Sequence, residues 1–343
     1  MMGKKRVVVT GGLGYIGSHT TVALQDRGFE VIIIDDLSNS SIDVLDGIYK
    51  ITGKKPEFHQ FDLKDNSIVK KFFKENNDLD GVIHFAASKA VGESVQKPLQ
   101  YYENNLFSLI NLLEAYSYNP ASRLIFSSSC TVYGQAIELP ITEKAPIKKA
   151  ESPYGNTKQI GEEIIKDTCL VNKGFKAIAL RYFNPIGAHE SAKIGELPIG
   201  TPQNLIPFIT QTAIGKREQL AVFGNDYPTK DGTAIRDYIH VRDLAEAHVA
   251  ALELLLQDDK QDNYDVFNLG TGKGQSVLEV IHAFEESTGQ RIPYEIKGRR
   301  NGDVTAAYAD TSKANSILKW KAKRSLLQAL SSAWNWEINN TIV

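Results

Sequence analysis

Tyr154 and Lys158 stand four residues apart in the segment Ser152-Pro153-Tyr154-Gly155-Asn156-Thr157-Lys158, and the segment opening Ser127-Ser128-Ser129 begins 25 residues earlier. Ser152-Pro153 reads as the N-cap and first residue of a helix, which puts the phenol and the ammonium on one helix face. A phenol has a reference pKa of about 10, too high for a base at neutral pH. A neighbouring ammonium favours the phenolate and lowers that value. Ser129, just past an apolar run, is placed to give a hydrogen bond to a reacting hydroxyl. A bare Y-x-x-x-K is common on helix surfaces, so the surroundings decide.

The surroundings begin near the N-terminus. An apolar run at 7–10 enters Gly11-Gly12-Leu13-Gly14-Tyr15-Ile16-Gly17, a G-x-x-G-x-x-G loop, and residues 18–27 then read as helical. Glycines there permit a tight turn and close approach of backbone to a pyrophosphate, which rests on the helix N-terminus. Asp35 follows 18 residues after Gly17, at the end of the next apolar run, where a carboxylate bonds a ribose 2′-hydroxyl. Asp35-Asp36, with no arginine in 37–41, argues for NAD over NADP. Asp62-Leu63 would flank the adenine, and Phe85-Ala86-Ala87 would let the dinucleotide pass close to the backbone. The positive nicotinamide ring is a second charge that would lower the Tyr154 pKa.

These residues need a frame. Candidate strands at 6–10, 30–34, 57–61, 81–85, 123–127 and 176–180 alternate with helix-like stretches. Continuous apolar runs such as Val31-Ile32-Ile33-Ile34 suggest strands buried on both faces. The pattern predicts an α/β fold, a Rossmann-type doubly wound parallel sheet, to which a late run at 265–269 returns. From Asn184 the texture changes, with Gly, Pro and polar residues clustered at 195–202 and 224–233. The expected division is a dinucleotide-binding unit of 1–183 plus about 235–269, and a smaller substrate unit of about 184–234 plus 270–343.

Composition narrows the function. In 343 residues, 39 Lys+Arg balance 41 Asp+Glu for a net charge of −2, which gives no electrostatic reason to expect nucleic acid or an anionic membrane as partner. With 42% hydrophobic residues the chain has the means to build a core, unlike a disordered one. Cys130 and Cys169 make neither a disulfide framework nor a metal cluster. His84, His189 and His240 read as structural, and no metal is expected. The apolar run at 7–9 is too short for a secretory leader, and no window reaches the roughly 18 apolar residues of a membrane span. The expectation is a cytoplasmic protein.

At this point the sequence resembles the extended short-chain dehydrogenase/reductase superfamily and, within it, the UDP-glucose 4-epimerase family. The resemblance covers nearly the whole chain. It is carried by 7–17, 84–98 (HFAASKAVGESVQKP), 126–134, 152–158, 180–189 (LRYFNPIGAH), 220–241 (LAVFGNDYPTKDGTAIRDYIHV) and 299–303 (RRNGD).

The resemblance implies Tyr154 as catalytic base, Lys158 on the nicotinamide ribose and Ser129 as hydroxyl partner. It implies NAD contacts from Gly11, Gly14, Tyr15, Ile16, Gly17, Asp35, Asp36, Leu37, Ser38, Asn39, Ser40, Asp62 and Leu63, and from Phe85, Ala86, Ala87, Ser88, Lys89, Asn104 and Phe183. It implies UDP contacts from Asn184, Asn204, Leu205, Ala221, Phe223, Arg236, Arg300 and Asp303, arginine being suited to pyrophosphate by charge and bidentate geometry. Ala307 falls where the family lines the pocket near sugar C2, and a small residue there tends to admit N-acetylated sugars. A homodimer through helices near 104–118 and 154–171 is also implied.

The implied activity is reversible NAD-dependent C4 epimerisation of UDP-hexoses through a 4-keto sugar. Rival readings are a 4,6-dehydratase or decarboxylase, an epimerase of UDP-glucuronate, and a non-catalytic NAD sensor. The first usually carries an acid after the serine segment, where this chain has Cys130 and Thr131. The third would be expected to lose the Tyr154/Lys158 pair.

Overall fold

A computed structural model describes residues 4–257, 262–300 and 303–341; Asn301 and Gly302 of the run at 299–303 lie outside the described residues. Strands β1 (Arg6–Thr10), β2 (Glu30–Asp35), β3 (Glu57–Gln60), β4 (Gly81–His84), β5 (Arg123–Ser127) and β6 (Lys176–Tyr182) fall within two residues of their predicted bounds. The helix after β1 is Tyr15–Asp26, so it starts three residues earlier than the sequence suggested. Gly14 is its N-cap, which puts the end of the glycine loop inside the first turn.

The remaining strands are β7 (Asn184–Ile186), β8 (Leu220–Phe223), β9 (Ile235–His240), β10 (Tyr264–Leu269), β11 (Gly274–Ser276), β12 (Tyr294–Lys297) and β13 (Ala306–Ala307). Seven strands form one parallel sheet in the order β10-β6-β5-β4-β1-β2-β3. The order reverses beside β1, and ligands of such sheets bind at the carboxyl ends of the strands at that switch point.

The strands read as unbroken apolar runs because both faces are covered. Val7, Val9, Ile33, Ile83, Ile125 and Ile178 pack on one side against helices Tyr15–Asp26, Val44–Thr52 and Val241–Gln257. Their alternates Val8, Ile32, Ile34, Val82, Leu124 and Phe126 pack on the other against Asn66–Glu75, Ser108–Ala115 and Pro153–Val171.

A second sheet joins β9 to β7, β11 and β13, and β8 pairs with β12. Helices Leu205–Ala213, Val277–Thr288 and Leu326–Thr341 bury Ile209, Phe284 and Leu330 in a third core beneath these strands. The stretch 235–240 thus lies in the second sheet as β9, and the chain rejoins the large sheet's helical layer from Val241. Asp237 of β9 is fully buried and makes no ion pair among the described residues. It accepts from Thr271 N at 2.8 Å, Thr271 Oγ1 at 2.6 Å, Gly272 N at 3.0 Å and Ala309 N at 3.1 Å, and so ties three segments together.

Candidate active site

The glycine loop, residues 35–40, 62–63 and 85–89, Ser129 and Phe183 all follow carboxyl ends of strands in the large sheet. Gly11 has φ 65°, and a Cβ there would stand 2.8 Å from Ala86 N, so the loops after β1 and β4 meet backbone to backbone. A Cβ on Gly17 would lie 2.2 Å from Gly11 O, which holds the helix close to its loop. Helix Tyr15–Asp26 has no side-chain cap and no acid in its first turn, leaving its N-terminal amides to a ligand. The Asp35 carboxylate accepts from Leu13 N and Leu37 N, both at 3.0 Å, and from Ser40 Oγ at 2.8 Å. Asp36 holds Ser38 N at 2.9 Å. This donor and acceptor set fits a dinucleotide pyrophosphate and ribose.

Ser152 is the N-cap of helix Pro153–Val171, its hydroxyl accepting from Gly155 N at 3.1 Å, with Pro153 in the first turn as expected. Tyr154, Lys158 and Ser129 are all buried. Each serine of the triplet has its own task. Ser127 O accepts from Lys158 Nζ at 2.7 Å, and Ser127 Oγ lies 2.5 Å from Tyr182 OH. Ser128 Oγ donates to Glu162 Oε1 at 2.5 Å. Ser129 Oγ accepts from Thr131 N at 3.2 Å, and the Ser129 hydroxyl acts on the Tyr154 phenol to lower its pKa.

The expected lowering of the Tyr154 pKa is not built by the chain alone. Burial pushes the phenol well above the ordinary tyrosine value, Tyr182 adds to the rise, and the Ser129 hydroxyl opposes it. Burial lowers the Lys158 ammonium to about 8, with Glu162 opposing. Its Nζ lies 5.9 Å from the Tyr154 ring centroid.

On the other side of the cleft, Arg236 Nη2 lies 3.4 Å from Asp303 Oδ1, and Arg300 Nε lies 3.1 Å from Asp303 Oδ2. The Arg300 guanidinium sits 4.7 Å above the Phe223 ring. Ala221 and Phe223 are half-buried on one face of β8, while Leu220 and Val222 enter the core. Ala307 pairs with Arg236 in the β9–β13 register and packs in a cluster with Val132, Tyr133 and Phe183. Asn184 opens β7, and Asn204 caps the helix that begins at Leu205.

Several residues that position this site were not read from the sequence. Asn105, in a π-helical turn at Glu103–Phe107, accepts from Ser88 N at 2.8 Å and donates to Ser88 O and Thr157 Oγ1, each at 3.0 Å. It clamps the loop after β4 to the Tyr154 helix, and its neighbour Asn104 donates to Ser88 Oγ at 3.1 Å. Arg181 holds Glu162 through Nε at 2.9 Å and Nη2 at 2.5 Å. π-turns occur frequently at functional sites, but the Asn104-Asn105 doublet was the only sign of this one.

The glycine loop at the switch point, with a buried Tyr-x-x-x-Lys helix beside the serine strand, defines an extended short-chain dehydrogenase/reductase. A family model described as GDP-mannose 4,6 dehydratase matches residues 8–332. UDP-glucose 4-epimerase of Bacillus subtilis is 50% identical over 334 residues, 97% of each chain. A crystal structure of UDP-glucose 4-epimerase from Bifidobacterium longum in complex with NAD+ and UDP superposes with a TM-score of 0.94 at 46% identity, covering 98% of this chain and 99% of that one. The Stenotrophomonas maltophila enzyme, with bound NAD and formylated UDP-arabinopyranose, gives the same values. The chain belongs to the UDP-glucose 4-epimerase family.

Proposed function

We propose that this chain interconverts UDP-hexoses at C4, UDP-glucose and UDP-galactose first and their N-acetylated counterparts also, with NAD as a resident cofactor. The observation that carries the reading is a buried Tyr154 one helical turn from a buried Lys158, on the helix beside a buried Ser129, with Cys130 and Thr131 where a dehydratase needs an acid. Neither a thiol raised to about 11 by burial nor a threonine does carboxylate work at neutral pH.

In this reading Tyr154 takes the proton of the sugar 4-hydroxyl and later returns it, while Ser129 orients that hydroxyl. Lys158, fixed by Ser127 O, holds the nicotinamide ribose and favours the phenolate. When bound, NAD accepts hydride from C4 and gives it back to the other face of a 4-keto sugar. Arg236 and Arg300 hold the pyrophosphate, so the hexose turns over while the nucleotide stays fixed. We divide the chain accordingly, 1–183 with about 241–269 for NAD, and about 184–240 with 270–343 for the UDP-sugar, β9 belonging to the second sheet.

Exposed Phe107, Ile110 and Tyr118, and exposed Leu170 and Val171 of the Tyr154 helix, support a homodimer through the segments near 104–118 and 154–171. Among the described residues no helix is long and apolar enough to cross a membrane. Cys130 and Cys169 are both free, in keeping with a reducing, cytoplasmic setting. The test is incubation with UDP-glucose, UDP-galactose, UDP-GlcNAc and UDP-GalNAc, with product ratios read by NMR. Formation of a 4-keto-6-deoxy sugar in place of the epimer would refute the reading.

A further inference from the structure

Glu196 lies between β7 and helix Leu205–Ala213, in a Gly- and Pro-containing stretch. Its side chain is 12% exposed. One oxygen, Oε1, accepts from two donors, Asn204 Nδ2 at 2.7 Å and Lys89 Nζ at 3.2 Å. Lys89 belongs to the loop after β4 of the large sheet, and Asn204 caps a helix of the third core. A single carboxylate oxygen thus spans the cleft between the two sets of candidate ligand contacts.

The carboxylate is held from behind. Trp336 Nε1 donates to Glu196 O at 2.9 Å, and a Cβ on Gly195 would stand 2.4 Å from Trp336 Cγ, so the loop lies flat on the indole. Tyr15 completes the group. Lys89 Nζ is 5.8 Å from its ring centroid, and its hydroxyl donates to Gly187 O at 2.6 Å. A largely buried carboxylate is stable only where a cation and donors compensate it, so Glu196 keeps Lys89 and Asn204 drawn to one point.

We propose that Glu196 is a positioning residue that couples the dinucleotide side of the cleft to the uridine diphosphate side. The coupling rests on the reading that Lys89 faces NAD and Asn204 faces UDP. A change at Lys89 is then felt at the UDP subsite through Glu196, without Lys89 touching UDP. Sites that share a partner show such non-additivity, whereas independent sites simply add.

The experiment is a cycle of Lys89→Met, Glu196→Gln and the double variant, with UDP titrated calorimetrically into the NAD-loaded protein and steady-state kinetics on UDP-galactose. Lys89→Met should weaken UDP binding by about fivefold or more, the lower range of coupling between sites. In the Glu196→Gln background it should have little further effect. Glu196→Gln alone should raise KM for UDP-galactose with kcat nearly unchanged, a split that general loosening of the fold would not give. Should Glu196→Gln fold poorly, Asn204→Ser with Lys89→Met asks the same question from the other end. Effects of Lys89→Met that are equal in both backgrounds overturn the coupling while leaving the epimerase reading intact. A wild-type protein that neither binds UDP nor epimerises UDP-galactose overturns both.

Discussion

Lys158 and Glu162 stand one turn apart on helix Pro153–Val171, yet each is committed to a different strand. Lys158 Nζ donates to Ser127 O of β5 at 2.7 Å, while Glu162 takes Arg181 of β6 at 2.5 Å. The helix that carries the candidate base is therefore pinned to two neighbouring strands by buried charges, and the two pins share an electrostatic environment.

That environment predicts a pH profile. Lys158, lowered to about 8 by burial, loses its proton just above neutrality, and with it the charge that favours the Tyr154 phenolate. The kcat/KM for UDP-galactose should fall on an alkaline limb near that value. Glu162→Gln removes the influence that raises the Lys158 pKa and leaves Arg181 positive, so the limb should move to lower pH. Breaking a buried pair typically costs about 3–5 kcal/mol, so both proteins are compared at a temperature where circular dichroism shows them folded. An unmoved limb would mean that Glu162 does not tune Lys158.

Tyr154→Phe should lower turnover by roughly 10² to 10⁴, the usual worth of a positioned acid/base group. Phenylalanine keeps the buried ring and deletes only the hydroxyl, so the melting temperature and the affinity for UDP should change little. Retention of most of the turnover would remove Tyr154 as the base.

Asp35→Ala should weaken NAD retention through desalting and relax discrimination against NADP. The carboxylate also tethers Leu13 N and Leu37 N, so part of the loss would come from a loosened loop. Asp35→Asn keeps an acceptor for one of those two amides, which bond to different carboxylate oxygens, while removing the charge. It should therefore recover more NAD affinity than NADP rejection. Unchanged retention and unchanged refusal of NADP in Asp35→Ala would mean the ribose lies elsewhere.

Four buried histidines make an acid limit to stability. Burial lowers His19, His84 and His240 to about 3 and His248 to about 4. Each stays neutral in the fold but is protonated in the unfolded chain below about pH 6.5. The unfolded state therefore binds more protons between about pH 6.5 and 3, and stability falls as pH drops through that window. Urea midpoints measured from pH 7.5 to 4.5 should decrease steadily below pH 6.5. Replacing His248, whose ring packs against Phe85 and Tyr182, with Asn should flatten the slope, and a slope indifferent to that change would count against the account.

The large sheet was legible because burial on both faces leaves a simple mark, an unbroken apolar run. The glycine loop and the Ser152-Pro153 cap were legible because the backbone there demands particular residues. Glu196, Asn105 and Arg181 left no such mark. Their partners are set by tertiary contact, Lys89 lying 107 residues from Glu196 and Ser88 lying 17 from Asn105, and a lone polar residue in a loop or strand does not announce which distant group it meets. The placement of β9 failed to show for a related reason. Its apolar pattern serves either sheet, and only pairing with β7, β11 and β13 settles the choice.

Ala307 gives the last prediction, on which sugars enter. Successive strand residues face opposite ways, and in β13 Ala307 packs with Val132 and Phe183, beside the serine segment. Tyr308 instead packs its ring toward β11, where a Cβ on Gly274 would stand 3.1 Å from Tyr308 Cδ1. The Tyr308 ring is thus turned elsewhere, and the position proposed to line the sugar pocket carries only a methyl group. Ala307→Tyr would insert a ring into that buried cluster, and overpacking typically costs about 1–3 kcal/mol. A bulkier acetamido sugar should suffer more from it than a plain hexose. Wild type should act on both UDP-GalNAc and UDP-galactose, and Ala307→Tyr should cut kcat/KM selectively for UDP-GalNAc. Equal losses on the two sugars, or a wild type inactive on UDP-GalNAc, would show that Ala307 does not set the size of the sugar pocket.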